Sequence, residues 1–146
     1  MIPSHQITYN LHKSVFLLDK LADRILRERL KMTFSQFRVL MAIGRKDVCQ
    51  KDIADFWDMT EAAVSRQIEI LAGKKLITKK ENAKNRRARI VSLTSSGEKL
   101  LQRAFTLIDG EYEEIYKDIN QKERKVLVES LDKLLCSMCK NHQSLV

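Results

Sequence analysis

The sequence predicts a mainly α fold with one small β-hairpin. Apolar residues recur at spacings of three and four along most of the chain, and its 146 residues include only one proline and four glycines. Two of the helical segments are short and separated by a turn of about three residues. The period then shifts to strict alternation at RIVSLT, residues 89–94.

From Gln6 to Leu30, Ile7, Leu11, Val15, Leu18, Ala22 and Ile25 define a long amphipathic helix, and Leu17, Leu21 and Leu26 widen its stripe. Thr33 and Gln36 have capping-box spacing and open a second helix through Phe37, Leu40, Met41 and Ile43, with Gly44 near its end. A short helix in CQKDIADFWDM turns Ile53, Ala54, Phe56 and Trp57 to its apolar side. After the turn at Asp58, Thr60 caps TEAAVSRQIEIL, whose inward residues are Val64, Ile68 and Leu71. Residues 76–81 and 88–94 read as strands joined by the polar loop ENAKNR. Thr94 or Ser95 starts the next helix, with Ser95 and Glu98 spaced as a capping box, and Asn120 with Glu123 caps the last. Together these elements make a winged helix-turn-helix of about residues 33–95, flanked by long helices at about 5–31 and 96–142, in a single domain spanning 1–146.

The net charge of +8 is almost entirely local. Residues 74–99 hold nine Lys/Arg and two Glu, and the remainder is nearly balanced. Such confinement suits a polyanionic partner better than a generic solvated face. No apolar run is long enough to span a membrane, and MIPSHQITYNLHK lacks the apolar core of a signal peptide. The expectation is a cytoplasmic protein with three reduced cysteines.

Placing the basic loop beside the helix-turn-helix gives the charge a purpose. The second helix of such a motif, here about 60–72, enters the major groove of double-stranded DNA and presents its leading outward residues to base edges. Those residues are Thr60, Glu61, Ala62, Ala63, Ser65 and Arg66. Arg66 has the fork to grip guanine O6 and N7, and the alanine methyls suit thymine. Glu61 either accepts from cytosine N4 or complements the helix dipole. In the wing, about 79–90, Arg86 and Arg87 suit the narrow minor groove. Lys79, Lys80 and Lys84 suit phosphates, and Arg89 adds to the same cationic segment.

At this point AVSR at 63–66, NRR at 85–87 and LTSSGEKL at 93–100 resemble the STVSR, DRR and LTxxGxxL motifs of the MarR family of winged helix-turn-helix regulators. MTFSQFRVLMAIG for the second helix, and the order of elements over essentially the whole chain, agree with it. The resemblance implies a homodimer with intertwined terminal helices, a palindromic operator, and usually repression relieved by a small ligand or by oxidation. Two positions depart from the pattern. The family's wing aspartate is Asn85, which leaves the usual wing-bracing ion pair without its anion. The family's glycine after the recognition helix is matched by Lys75, with Gly73 two residues earlier. The terminal helices support a dimer independently, because their apolar coverage exceeds what the compact core can bury.

Sensing residues are less clearly marked. Cys49, at a helix N-cap between Lys46 and Lys51, is either a redox sensor or an inert capping residue. The family's peroxide-sensing branch places its cysteine near the start of the first helix, where this chain has His5, Tyr9 and His12 instead. Cys136, Cys139 and His142 lack the fourth ligand of a metal site and suit packing, so no metal or cofactor is expected. Tyr112 and Tyr116, with His12 and Phe16, either line a pocket for an aromatic effector or form an interface. No paired carboxylates, nucleophile motif or glycine-rich phosphate loop points to an enzyme. The competing reading is a winged-helix protein-interaction module without specific DNA binding, and the basic wing weighs against it.

Overall fold

The computed structural model describes residues 2–44, 48–82 and 85–141, with side chains described outside 81–89 and 141. Its elements run α1 (Ser4–Leu30), α2 (Phe34–Ile43), β1 (Val48–Cys49), α3 (Gln50–Trp57), α4 (Glu61–Gly73), β2 (Ile77–Asn82), β3 (Asn85–Leu93), α5 (Ser95–Tyr116) and α6 (Gln121–Asn141). They form two compact units, residues 1–109 and 110–146. No helix among the described residues is long and apolar enough to cross a membrane.

In the first unit, the hydrophobic core gathers Leu26 from α1, Val39 and Leu40 from α2, Ile53 from α3, and Val64 and Leu71 from α4. Val91 and Ala104 complete it from β3 and α5. The predicted capping box closes α2: the Gln36 N–H donates to Thr33 Oγ1, and the Thr33 N–H donates to Gln36 Oε1, each at 3.2 Å. Asp23 of α1 adds a cap from outside the segment, its carboxylate accepting the Phe34 N–H at 2.8 Å. Burial alone would raise that carboxyl, but hydrogen bonds from Arg27 and Phe34, with the Arg27 charge, outweigh it and hold it below its ordinary value.

The sheet is antiparallel in the order β1-β3-β2. Here the structure extends the sequence reading in two ways. The strands reach Asn82 and start again at Asn85, so most of ENAKNR is strand rather than loop; Ala83 and Lys84 lie outside the described residues. A two-residue strand, β1, also pairs Val48 with Val91 and Cys49 with Ile90. Two residues carry no periodicity, so only this long-range pairing defines them as a strand.

LTSSGEKL has a steric explanation. The cap of α5 falls to Thr94, whose hydroxyl accepts the Gly97 N–H at 3.0 Å while its carbonyl accepts the Glu98 N–H at 2.9 Å. A Cβ on Gly97 would lie 2.0 Å from the Leu76 carbonyl oxygen. Glycine is thus what lets the first turn of α5 sit against the end of the α4–β2 connection.

In the second unit, Asn120 and Glu123 form the expected cap: Asn120 Oδ1 accepts from the Lys122 and Glu123 N–H groups, and Glu123 Oε2 accepts the Asn120 N–H. Arg124 secures the corner by donating to the Tyr116 and Ile119 carbonyls and pairing with Glu113 at 2.7 Å. The apolar side chains Val126, Leu127, Val128, Leu134, Leu135 and Met138 of α6 are exposed.

Candidate nucleic-acid interface

The turn between α3 and α4 is set by local backbone chemistry. Asp58 takes the left-handed conformation at φ 49°, which short polar side chains tolerate, and the Met59 N–H returns to the Ala54 carbonyl at 2.9 Å. Thr60 then caps α4, its hydroxyl accepting the Ala63 N–H at 3.1 Å. Val64, Ile68 and Leu71 face the core as expected, which turns the opposite side outward.

Thr60, Glu61, Ala62 and Arg66 are exposed, and Ala63 and Ser65 are half-buried at the edge of that surface. Ala62 and Arg66 thus lie on the open side of α4 opposite its core residues, with Thr60 and Glu61 exposed at its leading end. Glu61 lies in the first turn, where an anion complements the helix dipole.

Helix α3 departs from its expected amphipathic face. Ile53 and Ala54 are buried, but Phe56 is 55% exposed and sets its ring edge-on to Trp57 at 4.8 Å. At 100° per residue, a face centred on residues 53, 54 and 57 leaves position 56 more than a quarter-turn away. Trp57 is anchored instead by a reciprocal pair with α2. Its indole N–H donates to the Arg38 carbonyl, and Arg38 donates to the Trp57 carbonyl, each at 2.9 Å, with the guanidinium 4.3 Å from the ring centroid. Asp19 of α1 feels the Arg38 charge, but burial dominates and raises its carboxyl.

Sequence reasoning missed two polar residues that set this geometry. Gln50, at the start of α3, donates to the Glu61 carbonyl at 3.0 Å and so ties α3 to the first turn of α4. Glu69 of α4 accepts from Lys79 of β2 through both carboxylate oxygens, at 2.7 and 2.8 Å. Neither residue interrupts an apolar period, so neither left a signal to read.

The end of α4 resolves the glycine departure. Lys75 adopts φ 60° in the left-handed region, with its N–H on the Ala72 carbonyl and the Leu76 N–H on the Leu71 carbonyl. These two bonds form a Schellman motif with lysine where glycine is the comfortable residue. The backbone keeps the turn while the side chain changes.

Lys80 is exposed on β2. The backbone of β3 carries Arg86, Arg87 and Arg89, whose side chains are outside the described ones, and Lys84 is outside the described residues altogether. Cys49 is the N-cap of α3, as expected, with its N–H donated to Asp52 at 3.2 Å; Lys46 is outside the described residues. Cys136 and Cys139 are exposed, and His142 is outside the described residues. Phe16 and exposed His12 lie in the first unit, Lys13 and Lys20 standing 5.7 and 5.0 Å from the Phe16 ring centroid. Tyr112 and Tyr116 lie in the second unit and meet edge-to-face at 6.3 Å.

A short helix, a tight turn, a second helix with an open leading face and a three-stranded sheet ending in a hairpin define a winged helix-turn-helix. The family model that matches it, over residues 30–88, is that of the MarR family. The matched residues include AVSR at 63–66 and NRR at 85–87, two of the motifs that carry the resemblance. The chain is 29% identical over 93 residues to the HTH-type transcriptional regulator BilQ of Clostridium symbiosum; the match spans 63% of this chain and 65% of that relative. Its fold is shared by the transcriptional regulator BldR from Sulfolobus solfataricus, at TM-score 0.80, 22% identity and coverage of 92% of this chain and 95% of that one. MepR from S. aureus, solved as a DNA complex, gives TM-score 0.73 and 26% identity over 89% of this chain and 96% of that one.

Proposed function

We propose that this chain is a cytoplasmic, sequence-specific DNA-binding transcriptional regulator of the MarR type, acting as a homodimeric repressor. The observation that carries the reading is the open leading face of α4 beside the hairpin whose segment holds nearly all the net positive charge. The fold shared with a protein solved on DNA supports it. Thr60, Glu61, Ala62, Ala63, Ser65 and Arg66 meet the major groove, with Arg66 reading guanine. Of the three lysines expected at phosphates, Lys79 is already paired with Glu69, so that role falls to Lys80 and Lys84; Arg86 and Arg87 enter the minor groove, and Arg89 adds charge. In a two-fold dimer the two α4 helices face successive major grooves about 34–36 Å apart, which fits a palindromic operator. The exposed apolar residues of α6 and of the first half of α1 are the surfaces such a dimer would cover. Release comes from a small aromatic effector or from oxidation at Cys49.

The test is selection of bound duplexes from a random-sequence pool. Enrichment of a palindrome is expected, and Arg66→Ala should relax preference at one symmetric pair of positions, with a loss of about 1–3 kcal/mol per contact. Enrichment of no palindrome overturns the reading in favour of a protein-interaction winged helix.

A further inference from the structure

We infer that Lys79 is a positioning residue that braces the wing against the recognition helix through Glu69. The functional part of this inference rests on the DNA-binding reading above. Lys79 lies opposite Val91 in the β2–β3 register and Lys80 opposite Ile90. Side chains alternate across a strand, so Lys79 leaves the sheet on the face of buried Ile77 and Val91, and Lys80 on the other. The aliphatic stem of Lys79 therefore runs along the packed face, and its side chain is only 26% exposed. Its ammonium ends on both oxygens of Glu69, two turns into α4. One contact thus joins the element that would read bases to the strand that carries the basic hairpin.

The pairing also divides the work of two adjacent lysines. A cation already neutralised by a carboxylate at 2.7 Å releases little counterion on meeting DNA, whereas Lys80 is exposed and forms no ion pair among the described side chains. Glu69 is 59% exposed, so the pair contributes little to global stability and acts by fixing orientation.

The experiment uses the full chain and the variants Glu69→Gln, Lys79→Met, Lys80→Met and the exchange Glu69→Lys/Lys79→Glu. Backbone amide exchange is followed along β2 and β3, with α2 as the internal control. Glu69→Gln and Lys79→Met should each speed exchange in the wing by about two- to fivefold, the worth of an exposed ion pair, and the swapped pair should restore it. A merely destabilised fold would speed α2 equally. Binding to a random-sequence duplex is then titrated between about 50 and 200 mM salt. Lys79→Met should leave the salt slope unchanged, while Lys80→Met should lower it by about 0.9 per bound subunit. Unchanged wing exchange in both single variants, or a fall in slope for Lys79→Met, overturns the brace. If the unaltered chain shows no salt-dependent binding, the DNA-binding reading fails, and the exchange data still decide whether the brace exists.

Discussion

At the scale of single residues, Lys75 holds a backbone conformation that its own side chain disfavours. A left-handed L-residue costs about 1–2 kcal/mol, while glycine enters that region freely but loses more entropy on folding. Lys75→Gly should therefore raise stability by about 1 kcal/mol, read as a higher urea midpoint with an unchanged slope. A lower midpoint would show that the lysine side chain makes a contact worth more than the strain. Asp23 makes a pH-dependent contribution. Its carboxyl is lowered on folding, so its stabilisation is complete above the unfolded value near 3.8 and is lost as pH falls through the lower folded value. Asp23→Asn should be less stable than the parent at pH 7, with the gap closing below about pH 4. Asp19 runs the other way: burial raises it, so its charge opposes folding at neutral pH and that penalty fades in acid.

At the scale of elements, the leading features are joints. Asp58 and Lys75 end the two helices of the reading motif by the same device, a left-handed residue followed by a return hydrogen bond from the next N–H. Gly97 makes a third joint, where α5 leaves the sheet. Gly97→Ala would put a methyl into the Leu76 carbonyl, and backbone atoms cannot rotate away. We expect a loss of about 1–3 kcal/mol, the usual cost of overpacking, measured by denaturant unfolding. Stability within a few tenths of a kcal/mol of the parent would show that α5 shifts without cost. Because Leu76 directly follows the α4 cap, the same variant should also weaken binding to a selected duplex.

At the scale of the whole molecule, the apolar residues of α6 and the first half of α1 are the main unsettled surface. Ile7, Val15, Phe16 and Leu17 of α1 are exposed, as are Val126, Leu127, Val128, Leu134, Leu135 and Met138 of α6. An exposed apolar stripe of this kind along a helix is uncommon on monomers. If a second copy covers it, the melting temperature should rise with protein concentration, and Leu135→Glu should shift sedimentation from dimer to monomer. A monomer at all concentrations for the unaltered chain would remove the dimer and, with it, the palindrome.

The sequence by itself determined the helices, the caps at Thr33, Thr60 and Asn120, the short turn between α3 and α4, and the segment that holds the charge. Each follows from forces acting within a few residues, namely apolar period, side-chain caps and like charges close in sequence. Only the tertiary structure decided that Val48 and Cys49 are a strand, that Phe56 faces outward, that Lys75 is left-handed and that Lys79 belongs to Glu69. Three of these depend on segments that meet only after folding, and the Lys75 turn is set by the packed elements on either side of it. Local periodicity carries no record of such meetings.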